Sequence, residues 1–575
     1  MKILFGLSSP EYLRYYDTTI RALADRGHDV IVAVHAVRKG KPVQLEPVEH
    51  PRIALGGIVP LRGDRWTGLA RAVRGTLDFV RYLHPRLAGA PALRARMKEQ
   101  ALPSVLQWID RITSLPAPVV VRAMRGLAAL ERAIPPGRPL LEYLDRHAPD
   151  LVLVSPLVEA ASDQVDLVRA AQARGIRAGT LVASWDNLTN KGDLRVPGDL
   201  VVVWNEAQKR EAVELHRVPP EQVAVTGSQV FDRWFDRKPS RDRETFCRMV
   251  GLSPGKPFVL YTGSSIFISR AHVEVPFVRR WIAALRATDG PLRDVAVLVR
   301  PHPYNGSAWP DVDFGRDVAV WPRGGYNPVD EANRDGFFDS LYYSDAVVGI
   351  NTSAMIEAAV VGRPVLSILL PELAPSQQGT LHFQYLLSEN GGFVRTASSL
   401  EEHARQLASV LRDPTSVRAE IDRFLAWFVR PHGIEQPCLP ILIDVVERYG
   451  RSSPPVAQTT SWALLAVRAL LLPLALIAGR FPADASWNRV VARRWRDAWT
   501  ATRRLRYEAV TYGLIRPARF LRRRARGAGR GVRRHVAAGV RAAILVPARR
   551  AIRATRVARY RVATAARRLR GVEPE

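Results

Sequence analysis

Cysteine is nearly absent from this chain of 575 residues. Two thiols, Cys247 and Cys438, exclude a disulfide framework and fit a reducing compartment. Neither lies in a CxxC spacing, so no structural zinc site is expected. Long apolar runs are missing too. The stretch from Met1 to Leu7 is too short for the core of a signal peptide and runs into polar sequence, so it reads as a first buried strand, with the cytoplasm as the default location. Trp462 to Ala478 is apolar, but Arg468 and Pro473 interrupt it, and it falls short of the roughly 20 residues that a spanning helix prefers. It reads as an in-plane or re-entrant segment. Lysine and acid are scarce at one end only: residues 451–575 hold 29 Arg, no Lys and 5 acids, for a charge of +24, against +5 for the other 450 residues. The extreme basicity therefore belongs to the tail. No solenoid-type repeat is visible.

What is present is α/β alternation. The length predicts two or three domains. Ile3–Leu7 and Val30–Val34 read as strands flanking a helix from Glu11 to Arg26, a spacing that implies a right-handed parallel crossover. Residues 64–147 are basic, helical in period and punctuated by proline, and form a helical insertion in the first domain. Leu151–Ser155, Ala178–Ala183, Leu200–Trp204 and Val223–Thr226 continue the first sheet, and residues 237–241 look like a linker. A second α/β unit follows, with strands at Phe258–Thr262, Val295–Val299, Asp345–Ile350 and Pro364–Leu369, and the mainly helical residues 400–449 close back on the first domain. The expected architecture has a first domain at 1–236, a second at 242–450 and an Arg-rich tail at 451–575.

Two words stand at strand ends of the second unit. Arg300-Pro-His-Pro303 follows one buried strand, and Asn351-Thr-Ser-Ala-Met-Ile-Glu357 follows another and opens a helix, with Thr352 and Ser353 at its start. Open α/β sheets bind ligands at that edge, and a helix start beside an arginine suits a phosphate. Glu357, one turn in, is placed to accept hydrogen bonds from ribose hydroxyls. Gly263, Ser264 and Ser265 after a strand make a candidate phosphate nest. His382, in a loop expected to be mobile, is a candidate to close over the donor. Asp186, between Trp185 and Asn187, is the first candidate for a catalytic base with a raised pKa, and Glu11 and Asp17 are the second. No metal cluster is apparent, so the helix start, Arg300 and His302 would stabilise a departing phosphate.

With these residues in view, the chain resembles bacterial surface-polysaccharide transferases of the GT-B superfamily, in the group of CDP-glycerol glycerophosphotransferase-like and capsule-synthesis proteins. The matching words are Ser184-Trp-Asp-Asn-Leu-Thr-Asn-Lys-Gly192, Val203-Trp-Asn-Glu-Ala-Gln-Lys209 and Val225-Thr-Gly-Ser-Gln-Val-Phe-Asp232. The Arg300 loop, Gly349-Ile-Asn-Thr-Ser353 with Glu357, and Gln378-Gly-Thr-Leu-His-Phe383 complete them. The resemblance implies two Rossmann-like domains with the nucleotide on the second. It also implies His302 and Thr352/Ser353 at the nucleotide phosphate, and Glu357 at the ribose. Further motifs of the glycerophosphotransferases do not stand out, so a sugar is preferred to glycerol phosphate.

The reading is then a GT-B glycosyltransferase with no cofactor. It takes a nucleotide-sugar or a CDP/CMP-linked donor and a lipid-linked or polysaccharide acceptor. It is peripheral to the inner face of the plasma membrane, with residues 459–575 on an anionic membrane surface. Polyol-phosphate transfer and nucleotide-sugar epimerisation on the same fold remain alternatives. So does a basic scaffold or nucleic-acid-binding protein, although nucleic acid is the less favoured partner of the tail.

Overall fold

The computed structural model describes residues 1–35, 49–325, 330–457 and 461–478. Runs of Val, Ile and Leu with both faces covered by helices build parallel sheets, and these residues form two. The first contains β1 (Lys2–Leu7), β2 (Asp29–Val34), β3 (Ile53–Ile58), β4 (Leu151–Ser155), β5 (Arg177–Leu181), β6 (Leu200–Val203) and β7 (Val223–Val225). Its order is β3-β2-β1-β4-β5-β6-β7, all parallel. The second contains β8 (Phe258–Thr262), β9 (Ala296–Arg300), β10 (Val318–Val320), β11 (Ala346–Gly349), β12 (Val365–Ile368) and β13 (Arg395–Ala397). Its order is β10-β9-β8-β11-β12-β13, again all parallel. Each sheet reverses direction of growth once, between β1 and β4 and between β8 and β11. The loops leaving β1, β8 and β11 therefore open onto crevices where such sheets receive ligands. Two Rossmann-like domains facing a cleft is the architecture that the resemblance implies.

The insertion lies between β3 and β4 and includes the helices Thr67–Arg81, Pro91–Gln100, Ala117–Ala133 and Arg138–His147. Charge fastens it. Arg74, fully buried, bonds Asp166 at 2.7 Å and Glu131 at 2.5 Å, and Arg62 reaches the same Asp166 at 3.1 Å. The chain finally returns to the first domain, where Leu442, Ile443 and Val446 of the helix Cys438–Arg451 join Ile3, Phe5 and Tyr16 in one core.

Three edge strands, β3, β10 and β13, escape the sequence reading. β3 carries Gly56 and Gly57 and exposes Leu55 and Ile58, so it lacks a buried-strand pattern, and the other two have only three residues each. Trp462–Ala478 forms one helix that runs through both Arg468 and Pro473. Among the described residues no helix is long and apolar enough to cross a membrane. The expectations for the rest of the tail fall on residues 479–575, outside the described ones.

Removing Arg74 leaves two buried carboxylates short of a partner. Arg74→Met should lower the urea-derived unfolding free energy by about 3–5 kcal/mol. A loss below about 1 kcal/mol would show that the insertion is held by its apolar contacts alone.

Candidate functional site

The carboxyl-edge loops of both sheets meet at a cleft of about 1160 Å³, counting its open mouth. Its charge is lopsided. Arg14, Arg233, Arg237, Arg300 and Arg334 line it, against one carboxylate, Glu357. Three of these arginines are neutralised from behind. Asp17 bonds Arg233 at 3.1 Å and Arg334 at 3.3 Å. Arg237 lies between Glu331 at 2.6 Å and Asp335 at 2.7 Å.

The other two differ. Among the described residues, neither Arg14 nor Arg300 has a carboxylate within 4.0 Å, the limit for an ion pair. Arg14 donates to the Tyr15 hydroxyl at 2.5 Å and stacks over that ring. Arg300 is 6% exposed. It donates to the Gly336 carbonyl at 3.3 Å and to Ser340 Oγ at 3.1 Å, and it lies 5.0 Å from the Trp321 ring and 5.1 Å from Phe337. Burial pushes its pKa down to about 9, opposed by the charge of Glu357. It stays cationic at neutral pH, bonded only to neutral dipoles and aromatic faces, with Glu357 as the one carboxylate of the cleft acting on it through space. Such a group is costly to keep unless an anion completes it.

His302 stands beside it. Its ring accepts from the Tyr304 amide through Nδ1 at 3.1 Å. Burial first, and Arg14 second, push its pKa down to about 4, so the ring is neutral at pH 7. With Nδ1 an acceptor, the ring proton is on Nε2, and a neutral N–H donor is available to the cleft. Gly263 lets the two loops come this close. A Cβ there would lie 2.8 Å from the His302 amide nitrogen, and the Gly263 amide donates to the Arg300 carbonyl at 2.8 Å. Burial raises the Glu357 pKa to about 7, against Arg14, Arg233 and Arg300, which lower it.

The structure therefore brings Gly263, Arg300, His302, Thr352, Ser353 and Glu357 to one cleft. Other candidates lie elsewhere, and four readings need correction. Ser264 and Ser265 do not form a nest, because the Ser264 amide is already donated to the buried Glu274 at 2.8 Å. Ser353 stands at the start of the helix Ala354–Val360, but its hydroxyl caps nothing and instead accepts from Trp185 Nε1 at 3.0 Å. Thr352 Oγ1 takes the Ala354 amide at 3.4 Å.

Asp186 has a lowered pKa where a raised one was expected. Burial pushes it up, but His382, Lys191 and hydrogen bonds from Ser184 and Asn190 outweigh that. It also does not line the cleft. His382 is no mobile lid. It is 1% exposed, edge-on to Trp185 at 4.7 Å, with Nδ1 at 3.2 Å from Thr189 Oγ1 and Nε2 at 3.4 Å from Asn351 Nδ2. Asn351 is likewise buried and donates to the Ser376 carbonyl at 2.7 Å. Glu11 belongs to the short turn Pro10–Tyr12 ahead of Arg14, outside the cleft lining, and Asp17 is the clamp on Arg233 and Arg334.

Sequence reasoning missed Arg14, Arg233, Arg237 and Arg334. Arg233 directly follows the Val225–Asp232 word, and that adjacency was the available signal. Among the described residues, no group of three or more His, Cys, Asp or Glu is placed to hold a metal ion.

No protein-family model matches the chain, nor does any curated protein. Solved structures of similar arrangement exist at low identity. UDP-GlcNAc 2-epimerase from Neisseria meningitidis, bound to UDP-GlcNAc, is 13% identical with a TM-score of 0.46, over 78% of this chain and 100% of its own. A glycosyltransferase from Rickettsia africae is 11% identical with a TM-score of 0.41, over 79% and 99%. The wall teichoic acid polymerase TagF is 10% identical with a TM-score of 0.40, over 78% and 89%. Likeness at this level leaves substrate and reaction to be argued from the side chains.

Glu357 gives the cleft a pH signature. Between pH 4.5 and about 7 the folded chain keeps a proton on this residue that the unfolded chain has released. Stability contributed by Glu357 therefore falls as pH rises through that window and is level above it. Glu357→Gln should abolish that part of the slope in urea titrations across the window. An unchanged slope would place the carboxyl in open solvent.

Proposed function

We propose that this protein is a glycosyltransferase that takes a nucleotide-activated sugar and passes the sugar to a hydroxyl of a lipid-linked or growing surface glycan. The observation that carries the reading is the pair of cleft arginines, Arg14 and Arg300, hydrogen-bonded only to neutral groups and set against a single cleft carboxylate, Glu357. A nucleoside diphosphate supplies the missing negative charge. In transfer, negative charge grows on the phosphate oxygen that leaves the sugar. Arg300 and the neutral Nε2–H of His302, both in the cleft lining, are the donors that would stabilise the leaving phosphate. Glu357 is the acceptor available to ribose hydroxyls, and Trp234 and Phe337 give the cleft apolar wall for a base.

Asp186 is the base candidate from the sequence, but its lowered pKa favours the ionised and weakly basic form. An epimerase on this fold would use the same donor contacts. The sequence words from Ser184 to Asp232 and the basic tail are what favour transfer to a membrane-held acceptor.

The test uses the full chain and the diphosphates of cytidine, uridine, guanosine and adenosine. One of them should raise the melting temperature, and His302→Ala should weaken its binding about tenfold, the effect of one lost hydrogen bond. The matching nucleotide-sugar should then yield free nucleotide only when a lipid extract is added. An epimerised nucleotide-sugar formed without extract would assign the epimerase, and no shift with any nucleotide would remove the transferase reading.

A further inference from the structure

The helix Trp462–Ala478 lies on the helical insertion with one side only. Leu471 and Ala475 are buried against Trp66, Ala70, Ala133 and Ile134. Its one charged residue, Arg468, is turned toward the insertion, where Nε donates to the Ala133 carbonyl at 2.8 Å. The opposite side is apolar along the whole helix. Trp462 is 87% exposed, Leu470 77%, Leu474 53%, Leu476 52% and Ile477 54%. A contiguous apolar face of this length is uncommon on a monomer in water and marks a contact surface.

Charge identifies the contact. The neighbouring helix Ala117–Ala133 buries Val120 and Met124 and turns outward Val119, Arg122, Arg125 and Leu130. Its one acid, Glu131, is buried on Arg74 at 2.5 Å. The outward sides of these two helices thus hold apolar and guanidinium groups and no carboxylate. A second copy of the chain would suit the leucines but would bring arginine against arginine. An anionic phospholipid leaflet suits both, because leucines enter the acyl region while arginines reach back to the phosphates. Because one side of the helix is packed on the insertion through Leu471 and Ala475, only its other side is open to a leaflet, which suits a position in the leaflet plane.

We propose that the outward faces of Trp462–Ala478 and Ala117–Ala133 form a membrane-inserting platform for one anionic leaflet. The platform fixes the orientation of the insertion on the bilayer. This inference is independent of the nucleotide reading.

The full chain carries an Arg-rich sequence beyond residue 478 that could bind anionic vesicles by charge alone, so sedimentation by itself does not decide the matter. The informative probe is an environment-sensitive fluorophore on Leu470→Cys, the two native cysteines being buried. With vesicles of phosphatidylcholine and phosphatidylglycerol its emission should shift to the blue and rise severalfold. A probe on Ser452→Cys, outside the platform, should not respond. Leu474→Glu added to the labelled protein should abolish the shift, and Arg122→Glu with Arg125→Glu should weaken vesicle affinity about tenfold. Three results would overturn the proposal: a Leu470 probe that stays water-like while the protein sediments with vesicles, a blue shift without vesicles that tracks dimer formation, or equal response to purely zwitterionic vesicles.

Discussion

Concentrating five guanidinium groups around one cleft is the constraint on which the rest of this structure turns. Like charges at such a site repel, and the fold contains the repulsion in three ways. Asp17, from the first domain, holds Arg233 and Arg334, and Arg334 comes from the second domain, so the clamp also ties the two domains together. Glu331 and Asp335 occupy Arg237. Arg14 and Arg300 are bonded only to aromatic faces and neutral dipoles and share the single cleft carboxylate, Glu357. Those two keep their positive charge available. The burial that lowers the Arg300 pKa also makes it a strong partner for an anion, because a charge held away from water interacts more strongly with whatever completes it.

Most of the words that suggest a family resemblance turn out to serve closure more than contact with a donor. In the Ser184–Gly192 word, Trp185 joins Ser353 to His382, and Thr189 meets His382 from the other side. In the Val203–Lys209 word, Asn205 donates to the Phe428 carbonyl at 2.8 Å. In the Val225–Asp232 word, Asp232 bonds Arg430 at 3.1 Å and accepts the Leu439 amide at 2.7 Å. These residues set how the two sheets face each other, and so fix the distance between Arg14 on one side and Arg300 on the other. A motif read as a donor site can equally be the joint that makes such a site possible.

The sheets were legible from sequence because buried parallel strands read as apolar runs, as β4, β6, β8 and β9 do. The edge strands β3, β10 and β13 were not, the first carrying a pair of glycines and the other two being only three residues long. At the site, His302 and Glu357 were legible because they follow strand ends in short, stiff words. Arg14 was not, because an arginine on a helix two residues past a turn looks like any solvated face. The Asp186 pKa was misread for a related reason. An aromatic neighbour was visible in the sequence, but Lys191, His382 and Asn190 around the carboxylate depend on how the chain folds. Ser264 shows the same limit: its amide is spent on Glu274, ten residues further along.

The account holds that Arg300 is kept for a ligand at a cost to the empty protein. Urea unfolding of Arg300→Met, with and without the nucleoside diphosphate that stabilises the native chain, tests this directly. The account predicts a variant at least as stable as the native protein when no nucleotide is present, because an apolar side chain replaces a buried unpaired charge, and a variant that no longer gains stability from nucleotide. A variant destabilised by more than about 2 kcal/mol that still responds fully to nucleotide would contradict it, and would make Arg300 a structural residue of the second sheet.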